Sequence, residues 1–315
     1  MKAIRIHRFG SPEVMSLEEI DTPEPSDDQV LIQVDAASVG PWDGWIRAGK
    51  SVLPQPLPLT LGSDVTGRVI SLAPGVRGLE ICDEVFGVTN KRFTGGYAEY
   101  ALANASMIAR RPSGLGAESA AAAPVVAVTA LQMLFDHGAL RAGQRVLIHG
   151  AAGSVGACAV QLALQAGAYV VGTDVGRNLD YLRSLGLKDV VDVRTDRFDN
   201  IAEPVDLVID TVGGDVLSRS LPLLRPGGTL VSSVAQPDTL EAERRKVRAL
   251  FMLVDVTTRA LTVIADRMVK NQLTVRIGSV VPLSEARRAH EMLEGTVPRP
   301  PGKVVLAVGG ARARA

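Results

Sequence analysis

The chain has 315 residues, 46% of them apolar, which is enough for two domains with cores of their own. Lysine plus arginine equals aspartate plus glutamate at 34 each, so no net field draws the protein toward nucleic acid or an anionic membrane. Its two cysteines, Cys82 and Cys158, lie far apart and outside any CxxC, which excludes a disulfide framework and a thiolate zinc site and fits a reducing compartment.

The start, "MKAIRIHRFG", alternates like a strand and lacks the apolar core of a signal peptide, and no apolar run reaches membrane-spanning length. A cytoplasmic protein without membrane or nucleic-acid partners is expected. Short alternating runs follow, "QVLIQVDAASV", "DVTGRVISLA" and "DEVFGVT", separated by "TPEPSDD" and "LPQPLPLTLG", as in a compact β-rich domain. Alanine and helix formers take over near "GAESAAAAPVVAVTALQML". From Gln144 strands alternate with helices: "QRVLIHG", helix 151–166, "AYVVGTD", helix "NLDYLRSLG" ending at Gly186, "DVVDV", "PVDLVIDTV", helix 214–224 and "GTLVSSV". Continuous apolar strands between helices predict a parallel sheet covered on both faces, the doubly wound α/β class. Two amphipathic helices, 257–271 and 284–294, and the strands "LTVRIGSVV" and "GKVVLAV" complete the chain, with "GGARARA" read as a solvated end.

The stretch "HGAAGSVG", residues 149–156, sits where a strand becomes a helix. Small residues there let the chain turn tightly, approach a pyrophosphate and pack the helix on the sheet, while the helix N-terminus offers amides and partial positive charge. The spacing A-x-G-x-x-G falls on Ala151, Gly153 and Gly156, with Ala152, Ser154 and Val155 between them. Asp174 ends the next strand at the distance expected of a ribose-binding carboxylate. A rival reading takes 152–156 as a nucleophile elbow presenting Ser154, with Asp210 and His290 following in hydrolase order. Against it, Ala152 replaces the leading glycine, and His290 lies in the helical pattern "EARRAHEMLEG", where an exposed or core-edge histidine is the ordinary explanation.

With "ASVGPWDGWIRAG", "LGSDVTGRV", "GGYAEYALA", "HGAAGSVG", "VIDTVGG", "LRPGGTLV" and "GKVVL" in order, the chain resembles the zinc-free quinone-reductase branch of the medium-chain dehydrogenase/reductase superfamily. The resemblance implies a GroES-like catalytic domain over 1–122, a Rossmann domain over 123–268, a return to the first domain over 269–315, a cleft between the domains, and a homodimer. Where zinc-dependent relatives carry ligands this chain has Gly40, Ser63 and Val125, so no zinc is expected. Without a Lewis acid, alcohol oxidation is disfavoured and an already polarised acceptor, a quinone or an α,β-unsaturated carbonyl, is favoured.

By the same resemblance Trp45 supplies an aromatic wall, or else fills the core, and Thr129 touches the nicotinamide. Asp43 orients water or caps the helix in "GWIRAG", and Asp64 and Tyr97 are structural. Gly40 stands where the family usually has an asparagine, and its missing side chain is expected to enlarge the pocket. Cofactor contacts are expected from residues 151–156, Asp174, Arg177, Val212, Ser232 and Ser233. The family favours NADP(H), with a serine and an arginine on the 2′-phosphate; here Arg177 is kept, Val175 replaces the serine, and the charge of Asp174 leans to NAD(H). The expected function is zinc-independent, NAD(P)H-dependent reduction of quinones or enones. The alternative is a crystallin-like or sensor protein that binds the nucleotide with little turnover.

Overall fold

The computed structural model describes residues 1–201 and 203–309; the rest of the tail read as a solvated end, 310–315, lies outside the described residues. Contacts divide the chain into two units, Met1–Val125 with Val256–Ala315, and Val126–Asp255.

The first unit is built from the alternating runs: β1 (Lys2–Ile6), β2 (Ser16–Glu19), β3 (Gln29–Val39), then helix α1 (Pro41–Arg47), β4 (Leu59–Thr60), β5 (Asp64–Leu72), β6 (Glu84–Val88), β7 (Tyr100–Asn104), β8 (Ile108–Arg110) and helix α2 (Ala117–Ala122). Helix α3 (Pro124–Leu131) leads into the second unit, which runs β9 (Arg145–His149), α4 (Ser154–Gln165), β10 (Tyr169–Asp174), α5 (Leu179–Ser184), β11 (Asp189–Asp192), β12 (Val205–Asp210), α6 (Asp215–Ser220), β13 (Leu224–Ser232), α7 (Thr239–Arg244) and β14 (Arg248–Phe251). The chain then returns to the first unit through α8 (Thr258–Val269), β15 (Ile277–Pro282), α9 (Ala286–Glu294) and β16 (Lys303–Ala307).

In the second unit the described strands form one parallel sheet in the order β11-β10-β9-β12-β13-β14. Val146, Leu147 and Ile148 of β9 are all fully buried, as the continuous apolar run predicts for a strand covered on both faces. The order reverses beside β9, so the carboxyl ends of β9, β10, β12 and β13 gather the loops of a switch-point crevice. In the first unit the order is β15-β16-β3-β5-β6-β8, with β7 also on β3 and a separate sheet β2-β1-β4. Ile32, Val34, Val65, Val85 and Val304 lie in its apolar core. This is the expected α/β architecture, a Rossmann-type sheet plus a GroES-like β-rich domain.

Local differences have local causes. Helix α4 starts at Ser154, three residues later than expected, because Gly153 is extended (φ −66°, ψ 167°) and serves as its N-cap. The helix expected over 214–224 stops at Ser220 and tightens into a 3₁₀ turn over Leu221–Leu223, where Pro222 removes a backbone donor. Helix α8 belongs to the first unit, unlike the expected division at 268/269. Its stripe of Leu261, Ile264, Ala265 and Met268 is buried, and Thr258 Oγ1 donates to Ile108 O at 2.7 Å.

Candidate functional site

In the second unit the turn after β9 is made by Gly150, not by the Ala151 of the fingerprint. Gly150 has φ +67°, a region that favours glycine, while Ala151 is fully buried with its N–H on Thr173 O at 3.0 Å. Gly156 serves close packing instead. A Cβ there would lie 2.2 Å from Gly150 O and 2.8 Å from Ala151 Cα, so glycine alone lets α4 pack this closely on the turn. Gly153 N donates to Gly150 O at 2.9 Å and closes the loop. The first intrahelical bond runs from Ala157 N to Gly153 O, 2.8 Å. The amides of Ser154, Val155 and Gly156 therefore have no acceptor within the helix and stand at the positive end of its dipole.

Asp174 sits at the end of β10 as expected, but its carboxylate already works within the protein. Oδ2 accepts from Ala152 N at 2.9 Å, and Oδ1 from Val175 N at 2.8 Å and Asn178 Nδ2 at 2.6 Å. It therefore braces the glycine loop, and the Ala152 amide expected to face a phosphate is directed to this carboxylate. Arg177 is exposed in the next turn.

At the ends of β12 and β13, Val212 is 55% exposed, whereas Ser232 is fully buried. Ser232 Oγ donates to Asp210 Oδ2 at 2.7 Å and accepts from Ala235 N at 3.2 Å, so its hydroxyl shapes the loop at the end of β13, where a cofactor contact is expected of Ser232. Asp210 Oδ1 accepts from Val212 N and Gly213 N at 3.0 and 2.9 Å. Ser233 is half-buried, its N–H 3.2 Å from Asp210 O. Thr129, on α3, is nearly buried at 5%.

The hydrolase reading is not supported. Ser154 is the first residue of a regular helix and Asp210 is spent on its own loop. His290, expected to be exposed or at a core edge, is fully buried in the first unit, where its Nδ1 accepts from Arg47 Nη1 at 2.8 Å. Burial, reinforced by the Arg47 charge, pushes its pKa down to about 3. The stripe Ala286, Ala289, His290 at i, i+3, i+4 is the signal that places this histidine inward.

In the first unit, α1 carries the remaining candidates. Trp45 is 48% exposed and so does not fill a core. Asp43 is fully buried, and its Oδ1 has no hydrogen-bond partner among the described residues. Its Oδ2 accepts from Gly40 N at 2.8 Å and from Tyr97 OH at 3.0 Å; the helix begins at Pro41 with Gly40 as N-cap, so Asp43 reaches back to the cap from the third helical position instead of capping a helix that starts at Gly44. Burial raises its pKa to about 7, and the Asp64 charge adds to this. Tyr97 and Asp64 are fully buried too; burial raises the Asp64 pKa to about 6 against the opposing charge of Lys303. Arg47 holds the other end of α1, with Nε on Gly10 O at 3.0 Å and an ion pair to Glu294. Gly40 does not enlarge the pocket. Where its side chain would project, the Trp42 indole already lies, with ring carbons 2.3 Å from an ideal Cβ.

Among the described residues, no cluster of three or more His, Cys, Asp or Glu is arranged to hold a metal ion, and no helix is long and apolar enough to cross a membrane.

The pattern described as "Alcohol dehydrogenase GroES-like domain" matches residues 26–113, and "Zinc-binding dehydrogenase" matches 185–306. A quinone oxidoreductase of Sus scrofa is 34% identical over 310 residues, covering 92% of this chain and 93% of its own. The solved quinone oxidoreductase of Coxiella burnetii is 35% identical, covers 98% of this chain and 99% of its own, and superposes with a TM-score of 0.89. A mycobacterial protein solved in complex with NADPH is 28% identical, with coverage of 98% and 100% and a TM-score of 0.86. A glycine turn opening onto a helix N-terminus, a GroES-like partner domain and identity sustained along nearly the whole length all lead to one assignment: the chain belongs to the quinone oxidoreductase branch of the medium-chain dehydrogenase/reductase superfamily.

Proposed function

We propose that the protein reduces quinones or α,β-unsaturated carbonyls with NAD(P)H and without zinc. The observation that carries this is the cradle of the second unit: Gly150 at φ +67° turns the chain, Gly156 lets α4 approach, and the first-turn amides stand ready for a diphosphate. These residues fit a dinucleotide, because a side chain at 156 would close the turn and a neutral, dipole-aligned helix end favours an anion. When bound, the nicotinamide supplies the hydride. Ser154, Val155 and Gly156 hold the phosphates, Gly150 and Gly153 keep the backbone close, and Asp174 keeps the loop in register. Val212 and Ser233 stand at the rim of the same crevice, and Thr129 is kept as the nicotinamide contact that the family implies.

Donor chemistry supports zinc independence. Gly40 and Val125 carry no donor side chain, and Ser63 Oγ already accepts from Trp42 Nε1 at 3.1 Å. An acceptor must therefore arrive polarised, as a quinone does, and the exposed indole of Trp45 offers it a flat apolar face. The proton is proposed to come from water. Loss of nicotinamide absorbance with a panel of quinones and enones tests this; the reading fails if no acceptor is reduced, as a nucleotide-binding protein without turnover would show.

For the choice of nicotinamide, the Asp174 charge favours a free 2′-hydroxyl over a phosphate even while its oxygens brace the loop. NADH is expected to bind at least as tightly as NADPH. Asp174→Ser is expected to shift the ratio of dissociation constants about tenfold toward NADPH, while weakening both because the Ala152 brace is lost. Fluorescence titration of both nucleotides reads the ratio, and a large NADPH preference in the wild type refutes this assignment of Asp174.

A further inference from the structure

Both tryptophans of the chain, Trp42 and Trp45, lie on the seven-residue helix α1, three positions apart and so on neighbouring parts of one side. Trp45 is the exposed one. Trp42 is partly buried and held from three directions. Its Nε1 donates to Ser63 Oγ at 3.1 Å, and its ring lies under the Lys303 ammonium at 4.8 Å. Its outer ring carbons fill the space a side chain at residue 40 would need, 2.3 to 2.4 Å from an ideal Cβ. The ammonium cannot drift, because it donates to Val39 O at 3.0 Å and lies 3.9 Å from the buried Asp64 carboxylate, itself fixed by Ser38 Oγ at 3.1 Å and Val125 N at 3.3 Å.

A tryptophan needed only for packing would not require a buried hydroxyl, a buried ion pair and a side-chain-free neighbour. Burying an ammonium beside a carboxylate carries a desolvation cost that their attraction must offset, and apolar residues of the same size fill a core at least as well. What such an arrangement supplies is a fixed orientation for one flat ring.

We propose that Ser63 and Lys303 are positioning residues for Trp42, and that its indole, locked over Gly40, joins Trp45 in the aromatic wall that selects the quinone acceptor. This rests on the reductase reading given above. Residues 40, 42 and 63 then form one specificity unit: glycine at 40 is required by the ring of 42, and serine at 63 by its N–H.

The test exploits the two tryptophans, since tryptophan emission excited selectively over the four tyrosines reports on α1 alone. Ser63→Ala is expected to shift that emission and to raise the quinone KM about fivefold while kcat changes by less than about twofold. Gly40→Ala, which must displace the ring while leaving Trp42 and Ser63 in the chain, is expected to do the same. In a Trp42→Phe background there is no N–H to hold, so adding Ser63→Ala is expected to change KM by less than about twofold, the non-additivity of a direct pair. A KM unchanged in Ser63→Ala or Gly40→Ala, or fully additive effects in the double variant, overturns the inference. If the wild type reduces no quinone, the reductase reading fails instead. Saturable quenching of tryptophan emission by 9,10-phenanthrenequinone, weakened in Ser63→Ala, then still supports the wall, and absence of saturable quenching overturns it.

Discussion

Replacing Gly156 by alanine is expected to weaken nicotinamide-nucleotide binding by at least about 100-fold. The added Cβ would sit 2.2 Å from Gly150 O and 2.8 Å from Ala151 Cα, and both are backbone atoms of the turn, so neither can swing aside as a flexible side chain could. Relief requires α4 to lift off β9, which moves the amides of Ser154, Val155 and Gly156 away from the place where a diphosphate would be held. Displacements near 1 Å at such donors are enough for losses of this size. Calorimetric titration with NADH and NADPH measures the effect, and circular dichroism checks that the fold survives. Gly153→Ala provides a graded companion: its Cβ would meet Gly150 O at 3.1 Å, tight but tolerable, and about a tenfold loss is expected. Wild-type affinity in a folded Gly156→Ala protein would show that the cradle does not hold the nucleotide.

The second large effect concerns pH. Asp43 ordinarily titrates at 3.8 but is raised to about 7, because its fully buried carboxylate is costly to ionise and the neighbouring Asp64 charge adds to the cost. A carboxyl whose folded pKa is raised binds more protons folded than unfolded, so its stabilising effect is complete below pH 4 and is lost as pH rises through about 7. Asp64, raised to about 6, acts in the same sense. His149 and His290, lowered by burial to about 4 and about 3, act in the opposite sense, since each must shed its proton to stay folded. The wild-type profile is therefore a partial cancellation.

Asp43→Asn removes the larger of the two carboxyl contributions, leaving that of Asp64, while keeping an oxygen for Gly40 N and Tyr97 OH. Relative to wild type, the variant is expected to gain about 4 kcal/mol of stability between pH 4 and pH 8, three units of displaced titration at about 1.4 kcal/mol each. Urea denaturation at the two pH values measures it as a difference in which the histidine contributions drop out. Parallel stability profiles would show that Asp43 ionises without cost.

Much of the architecture was legible because it is written in local periodicity. The run "QRVLIHG" needed only its unbroken apolar stretch to announce a strand covered on both faces, and Val146, Leu147 and Ile148 are fully buried. The amphipathic patterns near 257–271 and 284–294 likewise became α8 and α9. Helix α7 and strand β14, six and four residues long, escaped notice because a single helical turn or a short edge strand carries too few positions to show a period. The spacing A-x-G-x-x-G located the tight turn between β9 and α4 but not its left-handed residue, Gly150, since it specifies small residues and says nothing of φ.

What the chain determined by itself, then, was the alternation of the longer strands and helices, the small-residue turn at 150–156 and the lack of a thiolate or imidazole at Gly40, Ser63 and Val125. Tertiary structure decided the long-range partners of the polar side chains. Asp174 braces an amide 22 positions away, Trp42 is pinned by a hydroxyl 21 positions away, and Arg47 is seated on a histidine 243 positions away. Periodicity reports which face of an element is buried, because that depends on neighbours three or four residues along the chain. A hydrogen-bond partner depends on which distant segment folds against that face, and no local pattern encodes it.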